Sequence, residues 1–403
     1  LIRNYDLQLA MKNIEASELL FKQSRLNYLP ELYLQLAASS NRPSDNSLSG
    51  LSSSQFLGQR HIEDYNASLG LSWEADIWGK LKNQQRSALA QYLQTAEARK
   101  ALQTRIVASV AQGFYQLLMM DAQIGVAKRN LELADRTLDI IKMQYKVGQV
   151  TALAIQQAEA QQLVAAELIP ELEQAISIQE NALSVLSGKV PSAIERLASL
   201  ENLAVPTKLP AGFPAAMVST RPDVKAAELA LDIANAEVGI AKASLYPNLT
   251  ITASGGINSL KASNWFNIPA SLFGVVTGGL TQPVFQRRQL KVQYELAKTE
   301  REKVVIEFRQ AVLHASSEVA DELVKIEKLQ QQYELSAKKV HTLQQAVENA
   351  NMLFKNGMAT YLEVITAQSN FLQSELALTE IKTAQLIAAV SLYRALGGGK
   401  SEL

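Results

Sequence analysis

The chain has 403 residues with 39 basic and 39 acidic side chains, and this zero net charge argues against a nucleic-acid-binding protein, which usually carries a basic excess. The sequence contains no cysteine, which excludes disulfides, thiolate zinc sites and cysteine nucleophiles. Hydrophobic residues make up 47% but aromatic residues only 6%, a balance typical of long helices, and no uninterrupted apolar run approaches the roughly 18 residues that predict a transmembrane helix.

The chain opens with residues that are typical of a helix interior. The first ten, LIRNYDLQLA, show no signal-peptide pattern, so we expect the natural N terminus to lie upstream of Leu1. A helix is predicted over 1–28. It is followed by strands at 32–39 and 65–73, which are separated by a segment rich in serine, asparagine and glycine at 41–63.

The strand at 65–73 alternates strictly between apolar and polar residues, and a later strand at 249–257 does the same. With 272–284 the chain offers four strands of about ten residues, the length that a tilted strand needs to cross a bilayer. Four strands cannot close a barrel, and an open edge in lipid leaves backbone groups unsatisfied. If the strands enter a membrane the chain must oligomerise, and three copies would supply twelve strands. The same alternation occurs in soluble β-sandwiches, so the pattern does not exclude a soluble protein.

Aromatic residues stand at the strand-to-helix junctions, where membrane aromatic belts form: Trp73, Trp78 and Phe285.

The residues from Gly79 to Val147 contain no proline and predict one helix of roughly 100 Å. Apolar residues recur every seven positions along it, which predicts left-handed coiled-coil packing. A return helix at 149–187 contains Pro170, which removes a backbone donor and is expected to bend the helix. Because this helix is shorter than its partner, we expect it to stack end to end on the helix at 1–28. The predicted seam consists of Leu117, Met120, Ile124, Ala127, Leu131, Ala134, Leu138, Ile141 and Tyr145.

The second half of the chain repeats the first. YKVGQVTAL around Gly148 recurs as FKNGMATYL around Gly357, 209 residues later, and the seven-residue spacing recurs with the same offset. RLNYLPEL with Pro30 recurs as ASLYPNL with Pro247, 217 residues later. Each half therefore predicts helix, strand, loop, strand, very long helix, tight turn and helix. We place the two structural repeats at 1–209 and 210–403.

Three stretches resemble the outer-membrane efflux protein family, the TolC-like channels. They are RPDVKAAELALDIANAEVGIAKASLYPNLTI at 221–251, IPELEQAISIQENALSVLSGKVP at 169–191 and WEADIWGKLKNQQRSA at 73–88. Together with the two glycine hairpins, the similarity covers almost the whole chain in order. It is closest to the NodT-type lipoprotein branch that serves resistance-nodulation-division pumps.

The resemblance implies a mixed α and β fold, mainly α, in which a homotrimer forms a twelve-stranded outer-membrane β-barrel. Long antiparallel coiled-coil helices would continue the barrel as a helical tunnel through the periplasm. The branch is normally lipidated at an N-terminal cysteine, so an anchor of this kind is expected only upstream of this chain. The implied segments are 32–76 and 248–284 for the barrel, 1–28, 79–187, 222–246 and 286–396 for the tunnel, and 188–221 and 397–403 for an equatorial region.

The resemblance also implies an exit duct that conducts small molecules (drugs, toxic organics or metal ions) passively from the pump to the exterior. Such a duct contacts outer-membrane lipid and docks an inner-membrane resistance-nodulation-division transporter through a periplasmic adaptor protein. The glycines of the hairpins also have a structural reason, the left-handed turn between antiparallel helices. The tips implied to contact the adaptor contain Gly148, Thr151, Leu153, Gly357, Thr360 and Leu362.

The resemblance places a periplasmic gate after the second glycine turn. In GMATYLEVITAQ, Glu363 matches the first acidic gate position of the family, and Thr366 replaces the second. Three copies of Glu363 near an axis would concentrate negative potential and favour cations. Phe354 and Ala359 stand where some relatives have a tyrosine and a basic residue that hold the tip closed. Closure is therefore expected to depend on packing and on the acidic ring.

Nothing in the sequence predicts an enzyme, a cofactor or a metal site. The three histidines do not form a cluster with carboxylates, and there is neither a glycine-rich phosphate loop nor a nucleophile elbow. Two alternatives to the efflux duct stay open. One is the outer-membrane channel of a type I secretion system, which has the same architecture, and the other is a soluble coiled-coil scaffold.

Overall fold

A computed structural model describes residues 1–44, 46–49, 61–205 and 218–398. Residues 45 and 50–60 of the predicted serine-rich loop, and 206–217 and 399–403 of the predicted equatorial region, lie outside the described residues. In chain order the long elements are α1 (Tyr5–Leu26), β1 (Glu31–Asn41), β2 (Ile62–Ala75), α2 (Lys80–Lys146), α3 (Ala152–Leu186), α4 (Pro222–Ala243), β3 (Asn248–Ser259), β4 (Leu272–Thr281), α5 (Gln289–Lys355) and α6 (Tyr361–Ala395).

The two halves of the chain have the same element order and the same helix lengths. Helices α1 and α4 have 22 residues each, α2 and α5 have 67, and α3 and α6 have 35. This confirms the predicted internal repeat. The predicted boundary between the repeats falls in 206–217, outside the described residues, and stays a prediction. Among the described residues, none of the helices combines the length and the apolar character needed to span a membrane.

The described residues form two compact units, each built from both repeats. We call Ile14–Gln94 with Ala227–Glu307 the sheet unit. The helical unit consists of Leu1–Asn13, Thr95–Ala226 and Phe308–Leu403.

The sheet unit contains one antiparallel sheet in the order β1-β2-β3-β4. Strand β4 ends at Thr281, three residues before the predicted end, because Pro283 has no N–H for the ladder. Strands β1 and β4 form the edges, and in the described part of the chain neither outer edge pairs with a further strand. The sheet therefore leaves two rows of backbone donors and acceptors open.

One face of this sheet is apolar across all four strands. The register aligns Leu32, Leu71, Ala253 and Val276 in one row. The neighbouring row, on the opposite face, aligns Glu31, Ser72, Thr252 and Thr277. The members of the apolar face are Leu32, Leu34, Leu36, Ala67, Leu69, Leu71, Trp73, Leu249, Ile251, Ala253, Ile257, Leu272, Val276 and Leu280.

In the helical unit the long helices are buried along the predicted seam. Leu117, Leu138 and Ile141 of α2 are buried, whereas Tyr145 next to the hairpin turn is exposed. Helix α3 continues through Pro170 without ending there. The seven-residue spacing therefore predicted the packed side of α2 correctly between Leu117 and Ile141.

The ends of α3 and α1 meet, as the length argument predicted. The Asn4 side-chain amide donates to the carbonyl of Leu186 at 2.9 Å, and its Oδ1 accepts the N–H of Leu7 at 3.0 Å as a helix N-cap. Gly188 follows α3 with φ +67°, and a Cβ there would lie 2.0 Å from the carbonyl oxygen of Arg3. Glycine is thus required at this junction for its conformation and for space.

Candidate functional site

Both hairpin tips turn through a glycine in the left-handed conformation. Gly148 has φ +75° and Gly357 has φ +71°. In each turn the N–H of the residue after the glycine donates to the carbonyl five residues earlier at 2.9 Å, which satisfies a carbonyl at the helix end. Thr151 and Thr360 follow at the N-cap positions of α3 and α6, with extended backbone.

The outer surface of each tip presents uncovered apolar side chains. Leu153 and Leu362 occupy equivalent positions in the two repeats, and each is 55% exposed. Single exposed apolar side chains are common on protein surfaces, whereas a cluster of them often marks a site of protein contact. The exposed leucines at both tips fit such a contact. The adaptor contact itself stays a prediction.

Glu363 occupies the position that Ala154 has in the first repeat, but the two residues have opposite environments. Ala154 is fully buried, whereas Glu363 is exposed on α6. The Oε2 of Glu363 accepts the backbone N–H of Thr360 at 2.6 Å, the reach-back contact of a capping box. Thr366 is exposed as well. The carboxylate therefore stabilises the start of α6 while its charge stays accessible, and the gate role stays a prediction.

The interior of the tips is an apolar cluster that joins both hairpins. Phe354 is 3% exposed, and Val364 is fully buried beside it. Ala359 packs against the same cluster. Phe354 and Ala359, which were expected to replace polar tip contacts, thus contribute to packing. The buried members are Leu138, Ile141, Ala154, Ala158, Phe354 and Val364.

A line of buried polar residues on α2 faces α6, and the sequence analysis missed it. Gln123, Asn130 and Thr137 are spaced by seven residues and buried. The Asn130 amide donates to Glu375 at 2.8 Å, and the Gln368 amide donates to the Thr137 hydroxyl at 2.7 Å. We call these contacts the polar seam. Seven-residue spacing of polar residues alone does not distinguish such a seam from a solvent-facing side of the helix.

Arg221 is buried where the C-terminal end of α6 meets the N-terminal end of α4. Its guanidinium donates to both carboxylate oxygens of Asp223, at 3.0 and 2.7 Å, and to Glu318 of α5 at 2.7 Å. It also donates to the carbonyl of Ala395 at 2.6 Å. We call this set the arginine clasp. Arg394 pairs with the other oxygen of Glu318 and completes the charge balance.

The clasp affects the ionisation of Asp223. Burial by itself would raise the pKa of Asp223, but the hydrogen bonds and positive charge of Arg221 outweigh burial and lower that pKa below its ordinary value. The carboxylate is therefore ionised at neutral pH. Arg221 stands 217 residues after Asn4, which makes the equivalent contact to Leu186 in the first repeat.

The described part of the predicted equatorial region is held by a second arginine. Arg196 donates to Asp121 of α2 at 2.8 Å and pairs with Glu180 of α3. Burial would raise the pKa of Glu180, but the N–H of Ile194 and the charge of Arg196 lower it overall. Leu200 is buried against α2 and α6. These contacts fix the segment after α3 on the helices of its own unit.

The predicted belt aromatics lie at the junctions of the sheet unit, where two of them bond to backbone. The indole of Trp73 donates to the carbonyl of Tyr28 at 2.9 Å, and that of Trp78 donates to the carbonyl of Pro247 at 2.8 Å. Trp78 also stacks on Tyr246 with ring centroids 4.7 Å apart. Phe285 is 83% exposed. The membrane role of all three stays a prediction.

In the described ranges, no group of three or more histidine or acidic side chains could hold a metal ion. In the described residues, one antiparallel sheet with an apolar face and two unpaired edges, together with two helices of 67 residues each, defines a mixed α and β fold that is mainly α.

The chain belongs to the outer membrane efflux protein family, which it matches over residues 1–189 and 215–398. It is 28% identical over 407 residues to the cation efflux system protein CusC of Escherichia coli, covering 99% of this chain and 84% of CusC. It is 30% identical over 377 residues to the pyoverdine export outer membrane protein OpmQ of Pseudomonas putida, covering 92% of this chain and 78% of OpmQ. A crystal structure of CusC is similar with a TM-score of 0.88 and 26% identity, covering 99% of this chain and 90% of that one.

The protein is therefore an outer-membrane component of an efflux system, and its homologues are channel proteins. Membership of this family excludes the alternative interpretation of the sequence as a soluble coiled-coil scaffold. Relatives whose names describe efflux or small-molecule export also favour an efflux duct over a type I secretion channel.

Proposed function

We propose that three copies of this chain close a twelve-stranded barrel in the outer membrane and form the passive exit duct of a tripartite efflux pump. The observation that carries the proposal is the sheet with one apolar face and two unpaired edges. Leu32 on β1 and Val276 on β4 are 65% and 79% exposed in a single copy. Pairing β4 of one copy with β1 of the next removes both edges, which lipid does not tolerate.

The absence of cysteine allows a direct test of this closure. Ala37→Cys on β1 is combined in turn with Phe273→Cys, Val275→Cys and Thr277→Cys on β4, all on the face opposite the apolar one. Oxidation of the detergent-purified protein is expected to produce covalent dimers and trimers for the pair that matches the register. Single-cysteine variants are the controls. Monomers from all three pairs, with a monomeric mass in detergent, would contradict the proposal.

We further propose that Glu363, with Thr366 one turn later, lines the periplasmic gate. Its equivalent in the first repeat, Ala154, is buried, so of these two positions only the one on α6 presents an acidic side chain. Single-channel conductance in a planar bilayer tests the role. Glu363→Gln removes the charge but retains an oxygen for the N–H of Thr360, whereas Glu363→Ala removes both. A gate predicts altered cation preference in both variants. An effect in the alanine variant alone would show that Glu363 only caps the helix.

The hairpin tips are proposed to dock a periplasmic adaptor, which links the duct to an inner-membrane resistance-nodulation-division transporter. The support is the exposed leucine on each tip, Leu153 and Leu362. Leu153→Glu and Leu362→Glu are expected to abolish pump-dependent resistance in cells while single-channel conductance stays unchanged. Ile178→Glu, at an exposed position on α3 far from the turn, is the matched control.

The cargo is proposed to be set by the pump partner rather than by this chain. CusC is named for cations and OpmQ for pyoverdine, yet the chain is 28% and 30% identical to them. The face opposite the apolar one carries serine and threonine, which offer no specific cargo site. Exchange of the adaptor and transporter in cells that express this chain is expected to change which compounds are exported.

A further inference from the structure

The turn between β4 and α5 combines exposed apolar and basic side chains. Val284 and Phe285 are 95% and 83% exposed. Arg287 and Arg288 are also exposed, and within the described residues neither guanidinium has a hydrogen-bond or ion-pair partner. We call residues 284–288 the basic turn. The sheet unit thus presents two free cations directly beside two uncovered apolar side chains.

Both arginines have a backbone conformation that side chains with a Cβ rarely adopt. Arg287 has φ 48° and Arg288 has φ 64°. The position equivalent to Arg288 in the first repeat is Gly79, with φ 73°. Glycine adopts this conformation without strain, so the second repeat retains an arginine where a glycine would fit better. A strained position of this kind points to a use for the side chain.

The charges of the two strand-to-helix junctions also differ. In the first repeat Lys80 pairs with Glu74 at 3.0 Å, and the carboxylate of Asp76 accepts two N–H groups at the start of α2. Pro283 and Phe285 occupy the equivalent positions in the second repeat. No acidic residue occurs in the sequence from 238 to 294. The positive charge of the basic turn is therefore not neutralised by its own segment.

We propose that the basic turn binds the headgroups of anionic phospholipids at the leaflet where the strands meet the helices. Guanidinium groups bind phosphate through paired hydrogen bonds, and neighbouring apolar side chains suit the acyl boundary. The apolar face of the sheet reaches this turn, because Leu280 near the end of β4 belongs to that face and is 68% exposed. The inference rests on the sheet spanning the outer membrane, as proposed above.

Titration of the detergent-purified protein with lipid, followed by native mass spectrometry, tests the assignment. Phosphatidylglycerol is expected to bind more tightly than phosphatidylethanolamine. Arg287→Gln with Arg288→Gln is expected to weaken phosphatidylglycerol binding by about fivefold for each charge removed, or roughly 25-fold together. Arg288→Gly removes one charge and the strain, so it is expected to weaken binding about fivefold while the melting temperature stays equal or rises.

Lys82→Gln, which removes an exposed cation at the junction of the first repeat, is the matched control and is expected to leave binding unchanged. Equal loss in that control, or equal binding of both lipids, would overturn the assignment. Displacement of phosphatidylglycerol by inorganic phosphate at the same concentration would also overturn it, in favour of a free-anion site. A failed barrel would appear instead as monomers in the cross-linking test, which separates the two proposals.

Discussion

Arg221 is tolerated in a buried position because its positive charge is paired with carboxylates and each of its N–H donors has an acceptor. Its side chain is 8% exposed, whereas those of Asp223 and Glu318 are 54% and 29% exposed. Removal of one partner of a buried ion pair costs about 3–5 kcal/mol, and the partial exposure of the carboxylates favours the lower end. Arg221→Ala is therefore expected to lower the free energy of unfolding by about 3 kcal/mol. Denaturant unfolding of the detergent-purified protein measures the change.

Asn4→Ala is the matched control for this prediction, because Asn4 makes the equivalent contact at the other helix junction with an uncharged amide. The loss of an N-cap and one neutral hydrogen bond is expected to cost about 1 kcal/mol. Equal losses in the two variants would show that the clasp contributes no more than a cap. Arg221→Lys retains the charge without the paired geometry and is expected to fall between them.

The arginine clasp also predicts a dependence of stability on pH. The pKa of Asp223 is lower in the folded protein than the ordinary value of 3.8, so the unfolded chain binds its proton first as pH falls. The contribution of Asp223 is thus complete above pH 3.8 and is lost as pH falls from there toward the folded pKa. Asp223→Asn is expected to make the melting temperature less dependent on pH in this range. If the melting temperature of that variant depends on pH as it does in the unchanged protein, Asp223 does not contribute in the way proposed.

The sequence predicted best those residues whose role depends on the local backbone conformation. Gly148 and Gly357 are needed by a left-handed turn, and that need is visible in the surrounding sequence. The exposure of Glu363 could not be predicted from the repeat. Its equivalent Ala154 lies at the same position of an equally long helix and yet is buried. Which side of a helix faces its neighbours depends on tertiary packing, which the repeat does not preserve.

At the scale of elements, the apolar cluster inside the tips predicts local stability of both hairpins. Phe354→Ala removes a buried aromatic ring and is expected to cost about 3–4 kcal/mol. Hydrogen exchange is expected to accelerate at the ends of α2, α3, α5 and α6 near the turns, and to stay unchanged at the arginine clasp. Leu353→Ala is the control, because Leu353 is 42% exposed and its loss is expected to cost less than about 1 kcal/mol.

Element order and helix pairing could be predicted from the sequence, because seven-residue spacing and glycine turns are local signals. The polar seam could not, since Gln123, Asn130 and Thr137 look like solvent-facing residues until the partner helix is known. The Asn130 amide also donates to the nearby carbonyl of Val126, but its bond to Glu375 joins residues more than 200 positions apart in the chain, as does the bond from Gln368 to Thr137. Contacts of this range have no local pattern.

At the scale of the whole molecule, the two faces of the sheet predict opposite responses to a new charge. Leu71 and Ser72 are neighbours on β2, and their registers place them on the apolar and the polar face respectively. An arginine facing lipid costs about 2–4 kcal/mol at the centre of the bilayer, and in a trimer the cost is repeated in each copy. Leu71→Arg is therefore expected to reduce the yield of trimer in purified outer membranes severely.

Ser72→Arg adds the same side chain one residue later, where the opposite face would line a water-filled lumen. Its charge stays hydrated there, so the yield of trimer is expected to stay close to that of the unchanged protein. Its effect is expected in conductance instead, because three positive charges in the lumen oppose the passage of cations. The comparison needs only trimer yield and single-channel current from the two variants. Equal loss of trimer in both would mean that the sheet tolerates no large side chain at this position, whereas a normal yield of Leu71→Arg would mean that the apolar face does not contact lipid.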